Sequence, residues 1–296
     1  MNTGKVLAPE TGAVVAVVGA KGSPGATTSA VALALGWPRP VLLVDADPSG
    51  GDLAAGWLAG RVGLDRGLLS FAAATRHTDT PAAAELAGHV VSVSEALRVL
   101  VLPGLAHAGQ SGGLEPRVWT RLLSAATGPW PASEATADES GVRVDVLADC
   151  GRIGPDTPWP LLASAGVVLL ATRPTLRGVH HARYALAALT AGIGDVRRAR
   201  LLVCGPGPYE AGEVGRAVGL TVAVMLPADA AAALVLSDGA SPGRGWPRTA
   251  LARAAYTGAR SVASAAEPPG LAAAARSLKL AAAQPLQRPL PGGVVR

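Results

Sequence analysis

Short aliphatic runs constrain this chain more than any other feature. They fall at residues 13–19, 41–44, 97–102, 142–148, 167–171, 200–203 and 221–225. Each has strand length and is mostly apolar, interrupted only by Arg98, Arg143, Asp145, Arg200 and Thr221, so each reads as a buried strand. Stretches with helical spacing of apolar residues separate most of them, at 27–37, 52–75, 114–126, 176–190, 210–218, 229–237 and 248–265. Buried strands alternating with helices can satisfy both strand faces only by stacking side by side beneath two helical layers. The expected fold class is therefore α/β, a mostly parallel twisted sheet with helices on both faces. Residues 1–12 read as a flexible N-terminus, 13–267 as one domain, and 268–296 as a short helix and a Pro/Gly-containing tail. Residues 76–95 carry no clear pattern, and 127–141 read as a surface loop.

The aromatic content is low, with one Phe and three Tyr in 296 residues, so the core has to be packed from Ala, Val and Leu. The formal charge of +5 comes almost wholly from Arg, since lysine occurs only at Lys5, Lys21 and Lys279. In an Ala/Gly/Pro/Arg-rich chain that basicity is a weak sign of nucleic acid. Two cysteines, Cys150 and Cys204, are too few for a disulfide framework and have no metal-site spacing. The start of the chain lacks a secretory pattern, and no apolar run has membrane-spanning length. The expectation is a cytoplasmic protein.

In parallel sheets ligands sit beyond the C-terminal ends of the strands. The chemistry-bearing residues of this chain gather there. After the first strand comes Lys21-Gly22-Ser23-Pro24-Gly25-Ala26-Thr27-Thr28, a glycine-rich turn opening a helix. Unpaired amides and the helix dipole at such a turn make a phosphate cradle. Gly22, Ser23, Gly25 and the amides of Ala26 to Thr28 are its candidates, with Thr27 at the position of a metal-binding hydroxyl. The second strand ends in Asp45-Ala46-Asp47-Pro48, and a later one ends in Asp149-Cys150-Gly151. Asp45 and Asp149 are candidates to hold a metal through water, and Asp47 to orient an attacking water. A Gly-rich turn or a strand-terminal Asp can equally serve a turn alone; three such features at one sheet edge favour a nucleotide site.

The order of these motifs resembles the ParA/MinD family of partitioning and positioning ATPases. Five segments carry the resemblance across residues 13–265: Lys21 to Thr28, Val44-Asp45-Ala46-Asp47-Pro48, Asp149-Cys150-Gly151, Thr172-Arg173-Pro174 and Pro227-Ala228-Asp229. The resemblance implies ATP and Mg²⁺ as ligands and a homodimer that sandwiches the nucleotide. It implies that Lys21 reaches the partner's nucleotide, and that Pro227 and Asp229 sit by the nucleotide. One position departs. The family's loop has Gly-Lys-Thr-Thr where this chain has Gly25-Ala26-Thr27-Thr28, so the lysine that touches the β- and γ-phosphates is absent. Losing one charged phosphate contact costs a few kcal/mol, on the order of a hundredfold in affinity.

ATPase activity is therefore expected to be weak or absent. The implied role is spatial: positioning DNA, or a secretion or pilus assembly machine, with the Tad-type pilus localisation proteins as the favoured comparison. The alternatives are a nucleotide-free scaffold and an ATP-dependent ligase of the same superfold; Ala26 and the lack of a polar substrate pocket argue against the ligase. Arg173, Arg177 and Arg183, with His180 and His181, form a basic cluster that reads as a solvated face or a nonspecific DNA contact.

Overall fold

The computed structural model describes residues 11–21, 24–63, 65–94, 99–130, 143–240 and 243–266. The C-terminal segment 268–296 and the loop residues Gly22 and Ser23 lie outside the described residues, as do most of residues 1–12 and 127–141.

One eight-stranded sheet organises the chain. Its strands are β1 (Val14–Gly19), β2 (Val41–Asp45), β3 (Val91–Ser94), β4 (Val99–Leu102), β5 (Asp145–Arg152), β6 (Val167–Thr172), β7 (Ala199–Cys204) and β8 (Val222–Leu226). The spatial order is β3-β4-β2-β5-β1-β6-β7-β8. Every pairing is parallel except β3 with β4. The mostly parallel sheet expected from the aliphatic runs is present.

Nine described helices cover it: α1 (Ala26–Leu35), α2 (Leu68–Ala74), α3 (Ala83–Ala87), α4 (Arg117–Thr127), α5 (Trp159–Ser164), α6 (Leu176–Ile193), α7 (Ala211–Val218), α8 (Ala230–Ser237) and α9 (Ala250–Ala265). Because successive strand residues point to opposite faces, β1 feeds two separate cores. Val14, Ala16 and Val18 pack with α2 to α7 on one face. Ala13, Val15 and Val17 pack with α1, α8 and α9 on the other. With few aromatics to fill space, helices approach closely. A side chain at Gly36, which ends α1, would stand 2.7 Å from the Cα of Tyr256 on α9. At Gly258 of α9 it would stand 2.7 Å from a methyl of Val224 on β8.

The expected helix over 52–75 is not continuous. A single wide turn at Leu53–Trp57 and the separate helix α2 replace it. Ala59, Gly60 and Gly67 between them have positive φ, which no helix tolerates. The strand expected at 142–148 begins at Asp145 and runs on to Arg152, hydrogen-bonded between β1 and β2.

At the N-terminal end of the sheet, Asp145 is fully buried and gathers four residues from three stretches of chain. Its carboxylate accepts from the Ala13 N–H (2.9 Å), the Trp37 indole (2.9 Å) and Arg39 Nε (2.7 Å), and lies 3.6 Å from Arg143. Among the described residues no helix is long and apolar enough to cross a membrane.

Candidate functional site

The site is built at the opposite, C-terminal end of the strands. β1 ends at Gly19 and α1 begins at Ala26, with Gly25 as its N-cap at φ 94°, ψ 29°. That left-handed conformation is accessible to glycine at no cost, and it turns the chain so that the first amides of α1 face outward. The first turn of α1 has no acidic side chain to occupy those amides.

Asp45 and Asp149 stand directly opposite each other in the β2–β5 register. Both are buried, at 1% and 0% exposure. Asp45 Oδ2 accepts from the Leu53 N–H at 3.2 Å, and Asp149 Oδ1 accepts from the Gly151 N–H at 3.2 Å. The other oxygen of each has no partner. Of the described residues, only four buried side-chain polar atoms are so orphaned, and Asp45 Oδ1 and Asp149 Oδ2 are two of them. Native proteins satisfy nearly all buried polar atoms, so a pair of orphans on one site marks a place for a missing partner. Burial raises both carboxyls from the ordinary 3.8. Asp45 rises to about 8, with the charge of Asp149 the second cause. Asp149 rises to about 6, pulled back chiefly by the Thr27 hydroxyl beside it. Each carboxyl therefore keeps its proton to a higher pH than a solvated one.

Backbone without side chains closes around these carboxylates. A Cβ at Gly104 would stand 2.7 Å from Asp45 Cγ, and one at Gly51 would overlap Asp45 Oδ2. Gly151, at φ +61°, packs against the Asp47 carboxylate, and any side chain there would collide with it. Asp47 Oδ1 accepts from the Ser49 N–H at 2.7 Å.

A cavity of about 530 Å³ opens over this end of the sheet. Gly25, Ala26, Thr27, Thr28 and Asp47 line it, so the loop, the helix N-terminus and one strand-end carboxylate converge as the sequence suggests. Asp45 and Asp149 are buried and are not among its lining residues; Asp149 is joined to the lining through the Thr27 hydroxyl. Lys21 is exposed on the side facing α6, where its charge, after desolvation, helps to lower the pKa of His181. Pro227 and Asp229 follow β8, three strands from β1, and are not among the residues lining this cavity. The Asp229 carboxylate caps α8, accepting from the Ala232 N–H at 3.1 Å.

The cavity also includes Asp52 and Arg152, which motif reading overlooks, and Gly151 and Arg173, which it quotes within motifs without a site role. Arg152 follows directly on Asp149-Cys150-Gly151, and that proximity was the available signal. Among the described residues, no three His, Cys, Asp or Glu side chains are grouped to hold a metal by themselves. A hydroxyl and one or two carboxylates, completed by phosphates and water, suit Mg²⁺.

Solved structures with the same arrangement identify the architecture. A ParA family ATPase from Chlorobium tepidum superposes with a TM-score of 0.65, covering 85% of this chain and 99% of its own at 19% identity. The chain has the ParA/MinD fold. A septum site-determining protein MinD from Pyrococcus horikoshii, solved with Mg-ADP, gives 0.59 at 17% identity, over 84% of this chain and 95% of that one. A putative plasmid partition protein from Borrelia burgdorferi, bound to AMPPNP, gives 0.56 at 10% identity, over 85% and 97%. No family model matches the sequence, and no curated protein matches it. The ParA/MinD fold thus persists here at 10–19% sequence identity.

Proposed function

We propose that this ParA/MinD-fold chain binds Mg²⁺·ATP in the cavity over β1 and uses it to control assembly with a large cargo. The observation that carries the reading is the pair of buried, half-satisfied carboxylates level with each other at the strand ends, Asp149 beside the Thr27 hydroxyl that lines a cavity edged by a helix N-terminus. Two carboxyl groups kept out of water with an oxygen each to spare carry a standing cost that a bound cation would relieve. Thr27, Asp45 and Asp149 would hold magnesium, the last two through water. The amides of Gly22, Ser23, Gly25, Ala26, Thr27 and Thr28 would hold phosphate oxygens. Asp47 is placed at the cavity wall to orient a water. Bound magnesium supplies charge neutralisation for the polyphosphate.

Turnover is slow or absent in this reading, because Ala26 brings no charge to the γ-phosphate as it departs. The nucleotide then acts as a dimer switch, with Lys21 reaching across a homodimer. The cargo is DNA, or a component of a secretion or pilus machine, in the bacterial cytoplasm. Solved proteins of this fold named for partition and septum siting support a positioning role. Ala26 itself favours a second reading, a nucleotide-free scaffold. Titration calorimetry with Mg²⁺·ATP separates the two. Binding that Thr27→Ala abolishes supports the live site; no heat at millimolar ligand supports the scaffold.

A further inference from the structure

The cavity lacks the P-loop lysine, yet two arginines, Arg152 and Arg173, are among its lining residues. Arg152 is the register partner of Gly19 on the β5 side of β1. Arg173 lies two residues beyond Ala171, the partner of Gly19 on the β6 side. The two arginines therefore straddle the residue from which the phosphate loop departs. Both are exposed, so neither charge has been desolvated to reach its place. Among the described residues neither guanidinium makes an ion pair; the acidic groups that do are Asp145 and Asp195, remote from the cavity. The carboxylates at the cavity wall, Asp47 and Asp52, both follow β2. The lining is polarised in consequence, acidic beyond β2 and basic on either side of β1.

We infer that Arg152 and Arg173 grip the polyphosphate of the bound nucleotide in place of the lysine that Ala26 lacks. The inference rests on the nucleotide reading above and assigns its phosphate contacts. A guanidinium matches phosphate geometry bidentately, so an arginine at the rim can serve where a lysine on the loop is missing. Two forks approaching from opposite sides would also fix the tail laterally, which one ammonium cannot do.

Calorimetry on the full chain tests this, with Mg²⁺·ATP and inorganic tripolyphosphate as separate probes. Arg152→Ala and Arg173→Ala should each weaken both probes about tenfold, and the double variant about a hundredfold. Thermal melting should not move, because both side chains are exposed. Placing Ala26→Lys in the double variant should recover at least about tenfold, whereas in the wild-type background it should add less. If the arginine variants bind within about twofold of wild type while Thr27→Ala does not bind, the arginines are solvated surface and the nucleotide reading stands without them. Loss of affinity that Ala26→Lys fails to rescue also counts against the inference, since a cation on the loop serves the same phosphates. Wild-type protein that binds neither probe at millimolar concentration overturns both proposals.

Discussion

Replacing Asp45 by Asn isolates the energetic cost of the buried carboxylate pair. Asp45 is raised from 3.8 to about 8, first by burial and then by Asp149. In the unfolded chain the carboxyl loses its proton near pH 4, whereas the native state retains it to about pH 8. Between those limits the native state binds more protons than the unfolded state, so stability falls as pH rises, and the loss is complete above about pH 8. Each tenfold difference in proton affinity is worth about 1.4 kcal/mol, which sets an upper bound of about 6 kcal/mol on the penalty. Asn preserves the shape and the acceptor for the Leu53 N–H. Its NH₂ takes the place of Oδ1, which has no partner, and an orphaned donor costs about 1–3 kcal/mol. At pH 9 the variant should exceed the parent in stability, by up to about 3–5 kcal/mol. At pH 5, where most of the penalty is absent, the two should agree within about 1 kcal/mol. Urea denaturation followed by circular dichroism at pH 5, 7 and 9, in chelator, measures the difference. Saturating Mg²⁺·ATP should then reverse the order at pH 9, because only the parent keeps a carboxylate for the metal. A stability difference that stays constant from pH 5 to pH 9 would refute the claim that Asp45 is buried as a carboxylate paired with Asp149.

Three more substitutions probe other parts of the structure. Asp145→Ala strips the shared partner from Trp37 and Arg39 and should cost about 3–5 kcal/mol in denaturant, with a loss under 1 kcal/mol contradicting the clasp. Gly151→Ala forces a left-handed conformation on a residue with a side chain and drives Cβ into the Asp47 carboxylate, so it should destabilise by about 1–3 kcal/mol and reduce Mg²⁺·ATP affinity in calorimetry. Lys21→Ala, at an exposed position, should leave monomer stability within about 0.5 kcal/mol yet weaken ATP-dependent dimerisation. Light scattering that shows the same oligomer with and without ATP would remove that expectation.

The strands were legible because parallel strands buried on both faces leave near-continuous aliphatic runs, and β1, β2, β6 and β7 lie within a residue or so of those runs. The segment 52–75 was not legible in the same way. Its leucines keep a helical spacing, but Leu69 is 37% exposed and Gly67, at φ +106°, is set against the carbonyl of Pro103. That contact belongs to tertiary structure, and local propensity carries no trace of it. β3 escaped notice because it has only four residues and pairs antiparallel at the sheet's edge. At the site, the strand-end carboxylates could be read as motifs. Their opposition could not, since Asp45 and Asp149 are brought level by the β2–β5 register across a hundred residues of chain. Arg152 follows a motif without belonging to it, and the pairing of β5 with β1 sets it level with Gly19, where the loop departs.

The bare junction between Gly36 and Tyr256 bears on how a signal could leave the nucleotide pocket. α1 is a rod of ten residues, about 15 Å long, with the phosphate loop at its head and the main chain of α9 against its foot. With no methyl group between them to compress, the foot has nowhere to recoil. A push delivered at the head must either be spent in the loop or shift α9 bodily, carrying the exposed Tyr256 with it and announcing occupancy on a remote surface of the molecule.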